Sequence, residues 1–434
     1  NNELLILGIT GSEDFPTTEN AYTRVFQGGD SVFNALGSYN SGQFRGISYY
    51  YGSDLFIAKL SEDGRRLTGS TYLGGTDNDG INNAFGLPLS RNYGDEFRGE
   101  VNIDDENNVY IAANTSSTDF PIINGFQSVY GGGTQDGVIA KLNPDLSSII
   151  WSSYIGGTMA DAAYGIKIIE DSVSYITGGT MSADFPVTPG AYDTQFGGDI
   201  DGYLASISYD GTTLTASTFL GTPEYDQSYF LDTDEDQNVY AYGQSRGSYP
   251  VSEGVYNNPL SGQFIHKLSP DLSESIFSTV VGSGSGIPDI SPTAFLVNEC
   301  GNIFLSGWGG MINSVTSKYN GGNTFDLPLT GDAFQRTTDG SDFYLMVLDA
   351  GAEKLLYATY LGASNAGLEG GAGEHVDGGT SRFDKRGIVY HALCACRDNS
   401  QFPTTPGVWS NTNNSGNCNN GVFKFDLSAL RADF

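Results

Sequence analysis

Acid–base or nucleophilic chemistry needs a few residue types within reach of one another, and this sequence offers few such groupings. Three histidines, His266, His375 and His391, stand in unrelated contexts, two of them inside strand-like stretches. Only His375, in "GAGEHVDGG" beside Glu374 and Asp377, is placed as a proton-transfer group would be. No G-x-S-x-G, H-E-x-x-H or phosphate-cradling loop accompanies it, and the Gly-Gly runs follow strands without a helix. Carboxylates are so plentiful, 51 in all, that no glycosidase-type pair stands out. "LDTDEDQN" sets Asp232, Asp234 and Asp236 at alternate positions, as calcium loops do. It lacks the glycine and terminal glutamate of an EF-hand, and "IDDENN" (103–108) fills the corresponding turn elsewhere. The cofactor expectation is therefore none, with calcium at Asp232, Asp234 and Asp236 as the alternative.

The four cysteines are Cys300, Cys394, Cys396 and Cys418. Cys394 and Cys396 lie two apart on one strand, sharing a face but poorly placed to bond each other. "CACRDNSQFPTTPGVWSNTNNSGNC" reads as a loop stapled by Cys396 and Cys418, a feature of oxidising compartments. Cys300 with Cys394 is the leftover pair. Zinc is disfavoured, because no C-x2-C pair or nearby histidine ligand appears.

Binding by stacking is better provided for. Segments at about 29–52, 87–98, 310–325 and 363–378 interrupt an otherwise regular pattern with Gly, Asn and Tyr, the composition of adaptable surface loops. "ISYYYG" places Tyr49, Tyr50 and Tyr51 in the first, and "SGWGG" places Trp308 at the mouth of the third. Such rings can stack on sugars or dock a protein, or they can pack the insertions down.

The elements that carry these residues follow from repetition. A phrase typified by "TGGTMSADFP" recurs with drift and ends at Pro16, Pro121, Pro186, Pro250, Pro328 and Pro403. Each copy precedes a strand such as "QDGVIAKL", a short turn and another strand such as "WSSYIGG". An acidic strand such as "YGIKIIED" then turns back into the next phrase. One unit thus holds four short strands of period-two patterning, with hairpin turns inside each outer pair and a longer loop in the middle. That predicts an all-β fold, a β-propeller of four-stranded antiparallel blades, six in number with seven as the alternative. The chain opens on a second strand, and the tail "LSALRADF" is expected to supply the first strand that the opening unit lacks. In the phrase, proline ends the strand, the aromatic before it plugs the loop onto the blade, and Asp14, Asp119 or Asp184 fixes a turn. Asp54, Asp136, Asp201 and Asp342, before the third strands, are expected to cap that loop or to bridge to the next blade.

Composition sets outer limits. Aromatics make up 12%, charged residues only 16%, and 59 of 434 residues are glycine. A net charge of −31 repels phosphate backbones, so nucleic acid is excluded as a partner. No apolar run is long enough to span a membrane. All 434 residues read as a single propeller domain, cut from a longer chain.

The combined pattern T-x-S-x-D-F-P-x-T-x-G, D-x-f-v-a-K-L and s-T-Y-L-G-G resembles the bacterial β-propeller repeat called SBBP, over nearly the whole chain. "CGNIFLSGWGG" and the stretch 378–427 are similar to the propeller region of large secreted surface proteins of Bacteroidetes. The resemblance implies export by type IX secretion and a link to gliding motility and adhesion, with no catalytic residues to carry over. Asp30-Ser31-Val32 and Asp171-Ser172-Val173 resemble the O-glycosylation pattern of that phylum, which would place sugar on Ser31 and Ser172. The expected function is a non-catalytic extracellular binding and display module, secreted or attached to the bacterial surface, that contacts glycan or a cell-surface or secretion-system protein. An extracellular polysaccharide-active enzyme and a passive spacer in a large adhesin are the alternatives.

Overall fold

The computed structural model describes residues 3–33, 47–82, 89–169, 172–310, 313, 320–363, 374–376, 381–396, 402–413 and 418–428. The strands form six antiparallel sheets, with one short 3-10 turn, Asp95–Phe97, as the only described helix. The first sheet is β1 (Leu4–Thr10), β2 (Asp54–Leu60) and β3 (Leu67–Leu73). The second is β4 (Glu100–Ile103), β5 (Val109–Thr115), β6 (Asp136–Leu142) and β7 (Ile149–Ile155), and the third is β8 (Asp161–Ile169), β9 (Val173–Thr180), β10 (Asp201–Ser208) and β11 (Leu214–Leu220). The fourth runs through β12 (Asp226–Thr233), β13 (Val239–Ser245), β14 (Gln263–Leu268) and β15 (Ser275–Val281). The fifth is β16 (Ser291–Val297), β17 (Ile303–Trp308), β18 (Phe343–Leu348) and β19 (Leu355–Leu361), and the last is β20 (Arg382–Phe383), β21 (Ile388–Cys396) and β22 (Cys418–Asp426). These are the blades of a β-propeller, six as the repeats predict. The opening sheet begins on a second-position strand, as expected, while the tail expected to complete it lies mostly outside the described residues.

The chain divides into two compact units. One comprises residues 1–90, 95–231 and 271–274, the other 91–94, 232–270 and 275–434. In the first unit, apolar side chains alternating along β2, β5 and β6 pack with Leu73, Leu146 and Tyr154 into one core. A second core joins Tyr110 and Ile139 to residues of β8, β9 and β10.

The repeated phrase builds blade corners. Phe120, Phe185, Tyr249 and Leu327 are all buried, so the apolar plug survives each change of residue. The proline carbonyl accepts a hydroxyl from the fourth strand: Ser70 to Pro16 (2.7 Å), Ser152 to Pro121 (2.6 Å) and Ser278 to Pro250 (2.8 Å). Asp119 and Asp184 fix a turn, but not their own. Each accepts the backbone N–H and the hydroxyl of a threonine, Thr76 or Thr158, in the turn after the preceding blade.

The lysine near the end of the third strand has a fixed place in the second and fourth blades. Lys141 pairs with Asp104 at 3.2 Å and Lys267 with Asp234 at 2.8 Å, each aspartate sitting in the turn between the first and second strands. The same aspartates accept the backbone N–H four residues on, at Asn108 and Asn238.

Candidate functional site

The first insertion supplies an aromatic platform. A bridge between Val32 and Tyr49 closes it, and Gly29 N–H donates to the Tyr51 carbonyl at 2.9 Å. The Ser31 hydroxyl donates to the Tyr50 carbonyl at 2.6 Å. Tyr49 turns inward against Phe97 (6.3 Å), Val32 and Ile81, and burial pushes its hydroxyl pKa up to about 12. Tyr50 and Tyr51 turn outward, 66% and 67% exposed, and Phe33 meets Tyr50 edge-to-face at 5.7 Å. Of the expected tyrosine trio, two are presented and one is an anchor.

Trp308 departs from expectation. It ends β17 only 1% exposed, with its ring edge-on to Tyr93 at 6.4 Å, so it presents no surface to a ligand. His375, 5.6 Å from Tyr93 and 6.0 Å from Trp308, is buried as well, as is Glu374. Burial raises the Glu374 pKa, and Asp377 lies outside the described residues. The grouping that looked most like acid–base machinery therefore packs protein against protein. His266 and His391 are buried too, held below their ordinary pKa at about 3 by desolvation. His266 lies between Tyr249 (3.0 Å) and Ser275 (2.8 Å), and His391 bonds Ser381 and stacks on Phe423.

The segment 87–98 also corrects the surface-loop expectation, since its residues 89, 90, 92, 93, 95 and 96 are buried. Within the first unit, Asp95 pairs with Arg98 at 3.0 Å, and the Arg98 guanidinium lies 4.5 Å over the Tyr229 ring. The Tyr229 hydroxyl donates to Asp95 at 3.0 Å, while Gln227 and Tyr164 reach the Leu89 carbonyl. Within the second unit, the Tyr93 N–H donates to Asn313 at 2.8 Å and Asn92 bonds Gln244.

The three aspartates of the calcium expectation are held apart by separate partners. Asp232 accepts the N–H groups of Val297 (2.8 Å) and Thr233, Asp234 is taken by Lys267 and Asn238, and Asp236 points to solvent. Among the described residues no three His, Cys, Asp or Glu converge as a metal would need. No disulfide joins Cys300, which is exposed, to Cys394 on β21. Cys396 and Cys418 do stand directly opposite each other in the β21–β22 register. Ser31 and Ser172 are both exposed, Ser172 in the turn before β9.

Sequence reasoning missed a set of buried carboxylates. In "GGTDND", "GGTMAD" and "GTPEYD" the closing aspartates Asp79, Asp161 and Asp226 each accept the N–H of the residue four before, Gly75, Gly157 or Thr222. Each approaches the third-strand aspartate Asp54, Asp136 or Asp201, which accepts an N–H from its own loop, as expected of a cap. The recurring spacing of that closing aspartate was the available signal.

The six antiparallel sheets make the class an all-β six-bladed propeller. No protein-family model matches the chain, and no curated protein does. Similar solved structures include a protein of unknown function from Bacteroides caccae, 8% identical, covering 71% of this chain and 77% of that one at a TM-score of 0.33. An ulvan lyase is 12% identical, covering 79% and 72% at a TM-score of 0.39. A thermostable family-43 glycoside hydrolase is 11% identical, covering 76% and 91% at 0.32. Likeness this distant assigns no activity to the chain.

Proposed function

We propose that this chain is a non-catalytic binding module of a secreted or surface-attached protein, holding a neutral glycan on Phe33, Tyr50 and Tyr51. The observation that carries the reading is the contrast in exposure: those rings face solvent from a pinned loop, whereas all three histidines and Glu374 are buried. Exposed tyrosines offer rigid contact area at little entropic cost, and their faces suit the C–H surface of a sugar. A net charge of −31 argues against sulfated or uronic polymers as ligands. The SBBP resemblance supports an extracellular setting and export by type IX secretion.

Isothermal titration against neutral oligosaccharides chosen from a glycan array tests this. Tyr50→Ala with Tyr51→Ala should weaken binding about tenfold or more, while the unfolding midpoint moves by no more than about 2 °C. Unchanged affinity in the double variant overturns the platform, and release of shortened products overturns the non-catalytic reading. Protease shaving of intact cells tests the location, since a surface module should be cleaved while cytoplasmic markers stay whole.

A further inference from the structure

Within the first unit, two aspartates meet wherever the third strand of one blade approaches the start of the next. Asp54 meets Asp79, Asp136 meets Asp161 and Asp201 meets Asp226, all six buried. A glycine marks the first two meetings, while at the third Gly221 lies against Asp201. A Cβ on Gly156 would lie 2.6 Å from Asp136 Oδ1 and 2.9 Å from Asp161 Oδ2, so both carboxylates aim at one point. A Cβ on Gly74 would likewise lie 2.5 Å from Asp79 Oδ2 and 3.0 Å from Asp54 Oδ1.

The described groups around the pairs offer hydrogen bonds. Asp54 faces the N–H groups of Gln27 and Gly28, with Tyr72 nearby. Asp79 faces Gly75 N–H, the hydroxyls of Thr115 and Ser117, and Tyr154. Asp136 faces Gly131 N–H, Tyr130 and Tyr154. Asp161 faces Gly157 N–H, the Ser182 hydroxyl, Asp184 and Tyr203. Asp201 faces Gly197 N–H and Asp193, and Asp226 the N–H and hydroxyl of Thr222. Asp79, Asp136, Asp161 and Asp201 each have a carboxylate acting on them: Asp54 on Asp79, Asp161 on Asp136, Asp184 on Asp161, and Asp226 with Asp193 on Asp201. Asp136 Oδ1 and Asp201 Oδ1 make no hydrogen bond at all. Two like charges desolvated together are strongly unfavourable unless one is neutralised.

We propose that each of these joints holds a proton on its aspartate pair at neutral pH, and that losing those protons at alkaline pH loosens the first unit. Burial, reinforced at the second and third joints by the neighbouring carboxylate, pushes Asp136 up to about 8, Asp161 and Asp201 to about 7, and Asp54 to about 6. A carboxyl raised on folding stabilises fully below its unfolded value, and that stability is lost as pH rises through its folded value. The loss therefore begins at about pH 4 and continues through about pH 8.

Thermal unfolding of the whole chain between pH 5 and 9 tests the proposal, with Asp136→Asn and Asp201→Asn as variants that mimic the protonated acid. The wild-type midpoint should fall across this range. Each variant should fall less, so that at pH 8.5 it is at least as stable as wild type. A variant destabilised equally at every pH, or a wild-type midpoint that is flat or rising, overturns it. So does a midpoint at pH 8.5 raised by calcium and lowered by chelator, because a bound cation would then hold the joints. Infrared spectra of the wild type in D2O give a readout that needs no variant. The protonated-carboxyl band should persist at neutral pH and shrink by pH 9, and its absence at neutral pH overturns the proposal.

Discussion

The most informative single residue is Lys141, which recurs in the sequence without advertising a role. Its ammonium is buried on Asp104 and lies 3.9 Å over the Tyr209 ring and 4.8 Å over Tyr110. Burial alone would raise the Asp104 pKa, but hydrogen bonds from Asn108 and Lys141 together with the lysine charge outweigh it and hold the carboxyl below its ordinary value. Truncation in Lys141→Ala strands a buried carboxylate and should cost about 3–5 kcal/mol in urea unfolding. Adding Asp104→Asn should recover part of that loss, because the unpaired charge goes too; strictly additive losses would show that the two are not coupled. "AKL" was legible as a strand end, yet nothing in it pointed to an aspartate more than thirty residues upstream.

At the scale of elements, strands, turns and corner phrases were readable because each is a local pattern of two-residue alternation, turn residues and an apolar plug. What escaped were contacts between elements. The segment 87–98 is polar in composition and so resembled surface loop, yet Asp95, Arg98 and Tyr229 satisfy one another inside the protein, and no periodicity encodes that. Trp308 was misplaced for the same reason, since "SGWGG" shows its glycines but not the Tyr93 ring that covers it. The repeated "LGG" was seen as a strand end, whereas the structure shows its first glycine leaving room for two carboxylates. Gly156→Ala should therefore destabilise by about 1–3 kcal/mol, measured by chemical denaturation. Gly331→Ala makes the control, because its Cβ meets nothing within 4 Å and its φ is not positive. Similar losses in both would mean that crowding of the carboxylates is not the cause. The opposed register of Cys396 and Cys418 suits the separation a disulfide requires, so we propose that bond for oxidising conditions. Peptide mapping without reductant should recover the two cysteines in one cross-linked fragment.

For the whole molecule, three electrostatic effects with different pH windows combine. Asp104 and Asp234, both held below their ordinary values, contribute stability that is present above about pH 4 and lost as pH falls through their folded values. The aspartate pairs lose theirs in the opposite direction, as pH rises toward 8. General self-repulsion also grows as pH climbs away from an isoelectric point near 4.1 toward a formal charge of −31. The sum places maximum thermal stability on the acid side of neutrality, at about pH 5. Salt separates the contributions, because a Debye length of about 8 Å at 0.15 M screens exposed charges but reaches buried pairs weakly. Raising sodium chloride from 0.05 M to 0.5 M should therefore lift the unfolding midpoint more at pH 8.5 than at pH 5. A downward slope with pH should nevertheless persist at the higher salt. If salt abolishes the slope, surface repulsion accounts for all of it and the buried pairs contribute nothing.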